Sequence, residues 1–150
     1  MNDTASATKL VIRRTIDVPI ARVFEAWTNP DILKKWIGGH EVTVTNASME
    51  LREGGAYRIE FQPAQGEAVV VGGTFKEIRK PERLSFTWAW EEDDGTPVHD
   101  TLVTLDLRPD GNRTDLVLTH ENFVDADSRD RHEGGWSESL EKLAALAAAA

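Results

Sequence analysis

Apolar positions recur along this chain with two rhythms, and each rhythm predicts a different element. Leu10, Ile12, Ile16 and Val18 share one phase, with Arg13, Thr15 and Asp17 on the other, as in a half-buried strand. Val18-Pro19 ends it, because proline presets the φ of a first helical turn and has no N–H to lose there. Ile20, Val23, Phe24 and Trp27 then recur at i, i+3, i+4 and i+7, which predicts a short amphipathic helix. Asn29-Pro30 repeats the start signal, and Ile32, Leu33 and Trp36 predict a second short helix that stops at Gly38-Gly39.

From Glu41 to Glu121 the period changes to two. Strand-like stretches centre on Val42 and Val44; on Tyr57, Ile59 and Phe61 after Gly54-Gly55; and on Val69, Val71 and Phe75 after Gln65-Gly66. Leu84, Phe86, Trp88 and Trp90 follow the Lys80-Pro81-Glu82 turn. Val103, Leu105 and Leu107 follow Asp94-Gly95, and Leu116, Leu118 and His120 follow Asp110-Gly111. Short connections favour antiparallel neighbours, and the clean alternation predicts a sheet covered on one face only. The cover is at the end of the chain. Asp125, Asp127 and Ser128 are N-cap candidates, and Trp136, Leu140, Leu143 and Ala147 recur at i, i+4, i+7 and i+11; one turn earlier the same stripe reaches His132. The expected class is α+β, with a curved antiparallel sheet of about seven strands wrapped on a long C-terminal helix and two short helices between strands one and two. A twisted sheet gripping one helix does not close completely, which leaves room for an interior cavity.

Composition narrows the function classes. The chain has 150 residues, 40% of them hydrophobic and 29% charged, which suits one domain over residues 9–150 behind a disordered tail of residues 1–8. A net charge of −9 without a Lys/Arg-rich run argues against nucleic acid and anionic membrane surfaces. No cysteine is present, so disulfides, thiol nucleophiles and thiolate metal sites are excluded. With no long apolar run and no basic-then-apolar start, a soluble cytoplasmic protein is the expectation. Among the four histidines no pair has metal-ligand spacing, and His40 and His99 are read as lying elsewhere, so neither metal nor cofactor is expected. Glu91-Glu92-Asp93-Asp94 reads as a solvated hairpin tip rather than an acid–base pair. There is no G-x-S-x-G, P-loop or G-x-G-x-x-G motif.

Several segments together resemble one family. Val23-Phe24-Glu25-Ala26-Trp27-Thr28-Asn29-Pro30 with Leu33 and Trp36, Gly54-Gly55 before Tyr57, and Glu77-Ile78 before Pro81 carry the first half of the likeness. Arg83 to Trp88, then Thr114, Leu116, Leu118 and His120, then His132, Gly135, Trp136, Leu140 and Leu143 carry the second. The pattern is similar to the START-like helix-grip superfamily (SRPBCC), and within it to the domain named after the C-terminal half of the activator of Hsp90 ATPase. Gly38-Gly39 stands where that family commonly has Gly-Pro. No second domain like the N-terminal part of the eukaryotic activator is expected, and with it no chaperone activation, because function does not transfer with fold.

Candidate site residues follow from the inward phases. His120 and His132 could meet at one end of the cavity, either as rim residues of the core or as ligand contacts. Trp27 reads as core; Trp36, Trp88 and Trp136 read equally as cavity wall or packing. With Tyr57 and Phe75 these form the ligand-binding set Trp36, Tyr57, Phe75, Trp88, His120, His132 and Trp136, with no catalytic residue assigned. Gly134-Gly135 either permits close approach to the helix or marks where it begins. The expected function is binding of a small hydrophobic or aromatic molecule by a monomer or weak homodimer. The alternatives are a co-chaperone contacting an Hsp90-type partner, and an enzyme using the same cavity, since the resemblance also takes in cyclases and hydrolase-like members.

Overall fold

The structure is a computed structural model that describes residues 9–92 and 99–149. Among these residues, seven strands form one antiparallel sheet in the order β1-β7-β6-β5-β4-β3-β2. They are β1 (Lys9–Ile16), β2 (Val42–Met49), β3 (Ala56–Pro63), β4 (Val69–Arg79), β5 (Arg83–Trp90), β6 (Thr101–Asp110) and β7 (Arg113–Glu121). The helices are α1 (Ile20–Thr28), α2 (Pro30–Leu33) and α3 (Ala126–Ala149). Strands β2 to β7 form a meander, and β1 returns beside β7, so α1 and α2 carry the chain from one sheet edge to the other.

The sheet curls where its ladder is interrupted. Register shifts fall at Val44/Asn46 in β2 and at Phe75/Glu77 in β4, and such bulges increase local bending and twist. At Gly73 a Cβ would run into the Thr87 carbonyl oxygen, so close approach of β4 and β5 requires glycine there. Leu105 and Leu118 face each other across β6 and β7, and Leu84 lies opposite Leu105 on β5. These leucines, with Ile59 and Phe86, join Trp136, Leu140 and Leu143 of α3 and Val23, Phe24 and Trp27 of α1 in one core.

Both ends of the helical elements have local causes. The Asn29 side chain accepts from the Asp31 N–H at 2.9 Å to start α2, and the Asp125 carboxylate accepts from the Ser128 N–H at 2.8 Å beside the start of α3. Helix α2 stops at Leu33, short of the expected Gly38-Gly39, because the next bonds run from Lys35 to Ile32 and Trp36 to Leu33, the tighter i to i−3 pattern. That tightening carries Trp36 under α1, where it is fully buried and its indole N–H donates to the Ala26 carbonyl at 3.1 Å. Gly134 and Gly135 lie well inside α3, so they do not mark its beginning. The tail of residues 1–8, the Asp94-Gly95 turn and the side chain of Ala147 lie outside the described residues. No helix among the described residues is long and apolar enough to cross a membrane.

Leu140 is 2% exposed beneath α3. Leu140→Ala should cost about 2–5 kcal/mol in denaturant unfolding through lost burial and the void left behind. A loss under about 1 kcal/mol would mean that this face of the helix does not carry the core.

Candidate functional site

Between α3 and the sheet lies a cavity of about 590 Å³. Its sheet wall is Phe61, Val69, Trp88, Trp90 and Thr101, and its helix wall is His132, Gly135, Trp136 and Ser139. Ile37, Gly38, Gly39 and Val42 close one end; Glu91, His99, Val124, Ser128 and Arg131 stand at the other. Gly135 keeps the space open from the helix side: a Cβ built there meets nothing within 4 Å.

The wall is stiffened by indole-to-imidazole hydrogen bonds between helix and sheet. The Trp136 N–H donates to His120 Nδ1 at 3.0 Å, which places the His120 proton on Nε2. That N–H donates to Thr101 Oγ1 at 2.7 Å, and the Thr101 hydroxyl donates onward to the Trp88 carbonyl at 2.6 Å. In a second chain the Trp90 N–H donates to His132 Nε2 at 2.9 Å, and His132 Nδ1–H donates to the Ser128 carbonyl at 2.8 Å. Both histidines therefore hold one proton, and all four ring nitrogens are engaged. Their rings lie 5.2 Å apart, with Phe123 packed against both.

Burial reinforces this neutral state. Desolvation, then the nearby His132, pushes His120 down to about 2. His132 is also lowered, by burial first and by the neighbouring Arg131 in addition, against the bond to the Ser128 carbonyl that raises it. At the outer end, Arg58 clamps Glu91 in a two-pronged ion pair at 3.0 and 3.1 Å, so that carboxylate enters the site already neutralised. Among the described residues, no three His, Asp or Glu side chains gather as a metal-binding group would require.

The residues expected from the sequence divide into three layers. Trp88, His132 and Trp136 line the cavity. His120 lies one layer behind, fully buried, and reaches the site only through the bonds it makes to Trp136 and Thr101. Tyr57 and Phe75 are deeper, around a separate void of about 20 Å³ that shares Trp88 and Ile37 with the main cavity. Trp36 packs edge-on against Trp27 at 4.7 Å in the core. His99, read from the sequence as lying elsewhere, stands at the outer end and donates to the Asn122 carbonyl at 2.8 Å. Phe61 and Trp90 share the inward phases of Ile59 and Trp88, a signal sufficient to find them; Thr101 shares the phase of Val103 and Leu105 and Ser139 the face of Trp136 and Leu143, but as polar residues they escape a search for apolar periodicity.

A curled antiparallel sheet gripping a long C-terminal helix is the helix-grip, START-like architecture. The chain belongs to the family of Activator of Hsp90 ATPase homolog 1-like proteins, whose sequence profile it matches over residues 17–148. A protein of Chromobacterium violaceum has a similar crystal structure, with 28% identity, 93% of this chain and 96% of that chain covered, and a TM-score of 0.85. The AHSA1 protein of Silicibacter pomeroyi is also 28% identical, with 93% and 97% covered and a TM-score of 0.84. A protein of Arthrobacter aurescens shares the fold at 23% identity, with 97% and 89% covered and a TM-score of 0.85. None of the curated proteins compared matches the chain.

The neutral His120 makes stability depend on pH in a defined direction. Its folded value of about 2 lies below its unfolded value, so the unfolded chain binds more protons in acid. The contribution is complete above about pH 6.5 and declines towards pH 2, by about 1.4 kcal/mol per pH unit. In denaturant unfolding, wild type should lose about 2 kcal/mol more than His120→Gln between pH 7 and pH 5. Equal acid sensitivity of the two proteins would contradict the neutral, buried assignment.

Proposed function

We propose that the protein binds a small, largely hydrophobic or aromatic molecule in the cavity between α3 and the sheet. The supporting observation is the cavity itself: about 590 Å³ of space walled by Phe61, Val69, Trp88, Trp90 and Trp136. Its size and apolar walls suit a compact organic ligand. Two further features agree with this reading. Gly135 presents open space to the cavity at a helix position where alanine is better by about 1 kcal/mol. Two exposed large apolar side chains, Val69 and Val124, border the same cavity and extend its apolar surface outward.

An enzyme using this cavity would need a group free to move a proton. Neither His120 nor His132 supplies one, since each ring is held neutral and bonded at both nitrogens; His99, bonded through Nε2 alone, is the one histidine at the site with a free ring nitrogen among the described residues. A co-chaperone, the activity in the family's name, would act through its surface and would be indifferent to changes inside the cavity.

Filling the cavity separates these readings. Gly135→Phe should keep stability within about 1 kcal/mol of wild type, because the new side chain enters open space and phenylalanine is a better helix former than glycine. Saturating biphenyl- or naphthalene-type compounds should stabilise wild type in thermal unfolding, by about 2.7 kcal/mol at a hundredfold excess over Kd, and should fail to stabilise Gly135→Phe. A broad panel that shifts neither tryptophan fluorescence nor thermal stability in wild type would refute ligand binding.

A further inference from the structure

We infer that the ligand carries its hydrogen-bonding group at one end only, the end beside Ser128, His99 and Arg131, and that the part reaching towards Gly38 bears none. This rests on the cavity being a ligand site. The reason is the distribution of unused hydrogen-bonding capacity around it.

Among the described residues, the polar side chains of the inner wall are already committed, the Trp88 indole excepted. The Trp90 and Trp136 N–H groups are held by His132 and His120, and the Thr101 hydroxyl both accepts from His120 and donates to the Trp88 carbonyl. At the Gly38 end, Ser139 Oγ accepts from the Gly38 N–H at 2.9 Å and donates to the Gly135 carbonyl at 2.8 Å. Lys142 Nζ covers the Gly38 and Gly39 carbonyls at 3.4 and 3.3 Å. The Trp88 N–H has no partner among the described residues, but it is buried rather than open to the cavity. A hydroxyl or carbonyl carried into this region would lose its water and gain nothing in return.

At the start of α3 the situation reverses. Ser128 Oγ has no hydrogen-bond partner among the described residues, its backbone alone being used by Asp125 and His132. His99 spends Nε2–H on the Asn122 carbonyl and keeps Nδ1 as an acceptor. Arg131 is exposed, and its one ion pair among the described residues, to Asp127 at 3.5 Å, leaves most of its donors unused. Along α3, Ser128 and Ser139 are separated by roughly 16 Å at 1.5 Å per residue, so open and closed polarity occupy opposite ends of one elongated space.

Biphenyl, 4-hydroxybiphenyl and 4,4′-dihydroxybiphenyl test this, because they place a hydroxyl at neither end, one end or both ends of the same frame. Isothermal titration of the full chain should show 4-hydroxybiphenyl binding more tightly than biphenyl. The second hydroxyl should weaken binding roughly tenfold or more, the cost of burying it unpaired. In Ser128→Ala/Arg131→Ala the single hydroxyl should lose its advantage over biphenyl. If the dihydroxy compound binds as tightly as the monohydroxy one, the inference fails while the cavity remains a binding site. If none of the three binds, the binding reading falls and takes the inference with it.

Discussion

One helix has to cover the concave face of a seven-stranded sheet, and its side chains are too few to fill that face along its whole length. The shortage is resolved unequally. Over its second half, Leu140 and Leu143 press into the leucines of β6 and β7, and α1 and α2 pack beneath with Trp27 and Trp36. Further towards its start, His132 and Trp136 still reach the sheet, but between and beside them the helix offers only the small Gly135 and Ser139 to the space. The cavity is the part of the core that the chain does not supply.

Such a gap stays open only if its walls cannot collapse into it. Two indole-to-imidazole bonds, Trp136 to His120 and Trp90 to His132, set that spacing by joining helix and sheet through rigid planar groups. Each requires a neutral histidine with an available lone pair, and burial provides it by disfavouring the charged ring. The same bonds consume the polar capacity of the inner wall. Holding the cavity open and making its inner wall apolar are thus one structural choice, and His120 and His132, expected as polar ligand contacts, serve it by joining helix and sheet.

Much of this was legible in the sequence, for physical reasons that differ by element. The phases of Leu84, Leu105 and Leu118 on their strands and of Trp136, Leu140 and Leu143 on the helix report burial directly, so the architecture and the gripping helix could be read. Inward phase also brought His120 and His132 to one place. What phase cannot report is depth behind a wall. Trp36, Tyr57 and Phe75 share inward phases with Trp88 and Trp136, yet they sit in the core or around a separate small void, because depth depends on how the sheet curls. His99 was missed because it precedes β6 at the chain's turn into the strand, outside any periodic segment. Gly135 was noticed as an oddity, and its meaning required the opposite wall.

The chain's five tryptophans fall into wall and core, and their indole N–H resonances report on each separately. Recording the ¹H–¹⁵N spectrum during a titration with 4-hydroxybiphenyl tests the central claim most directly. The Trp88, Trp90 and Trp136 indole signals should move together and saturate, while that of Trp36, tied to the Ala26 carbonyl in the core, should stay in place. Indole signals that all remain fixed at saturating compound, or a Trp36 shift as large as that of Trp88, would contradict a ligand site between the helix and the sheet.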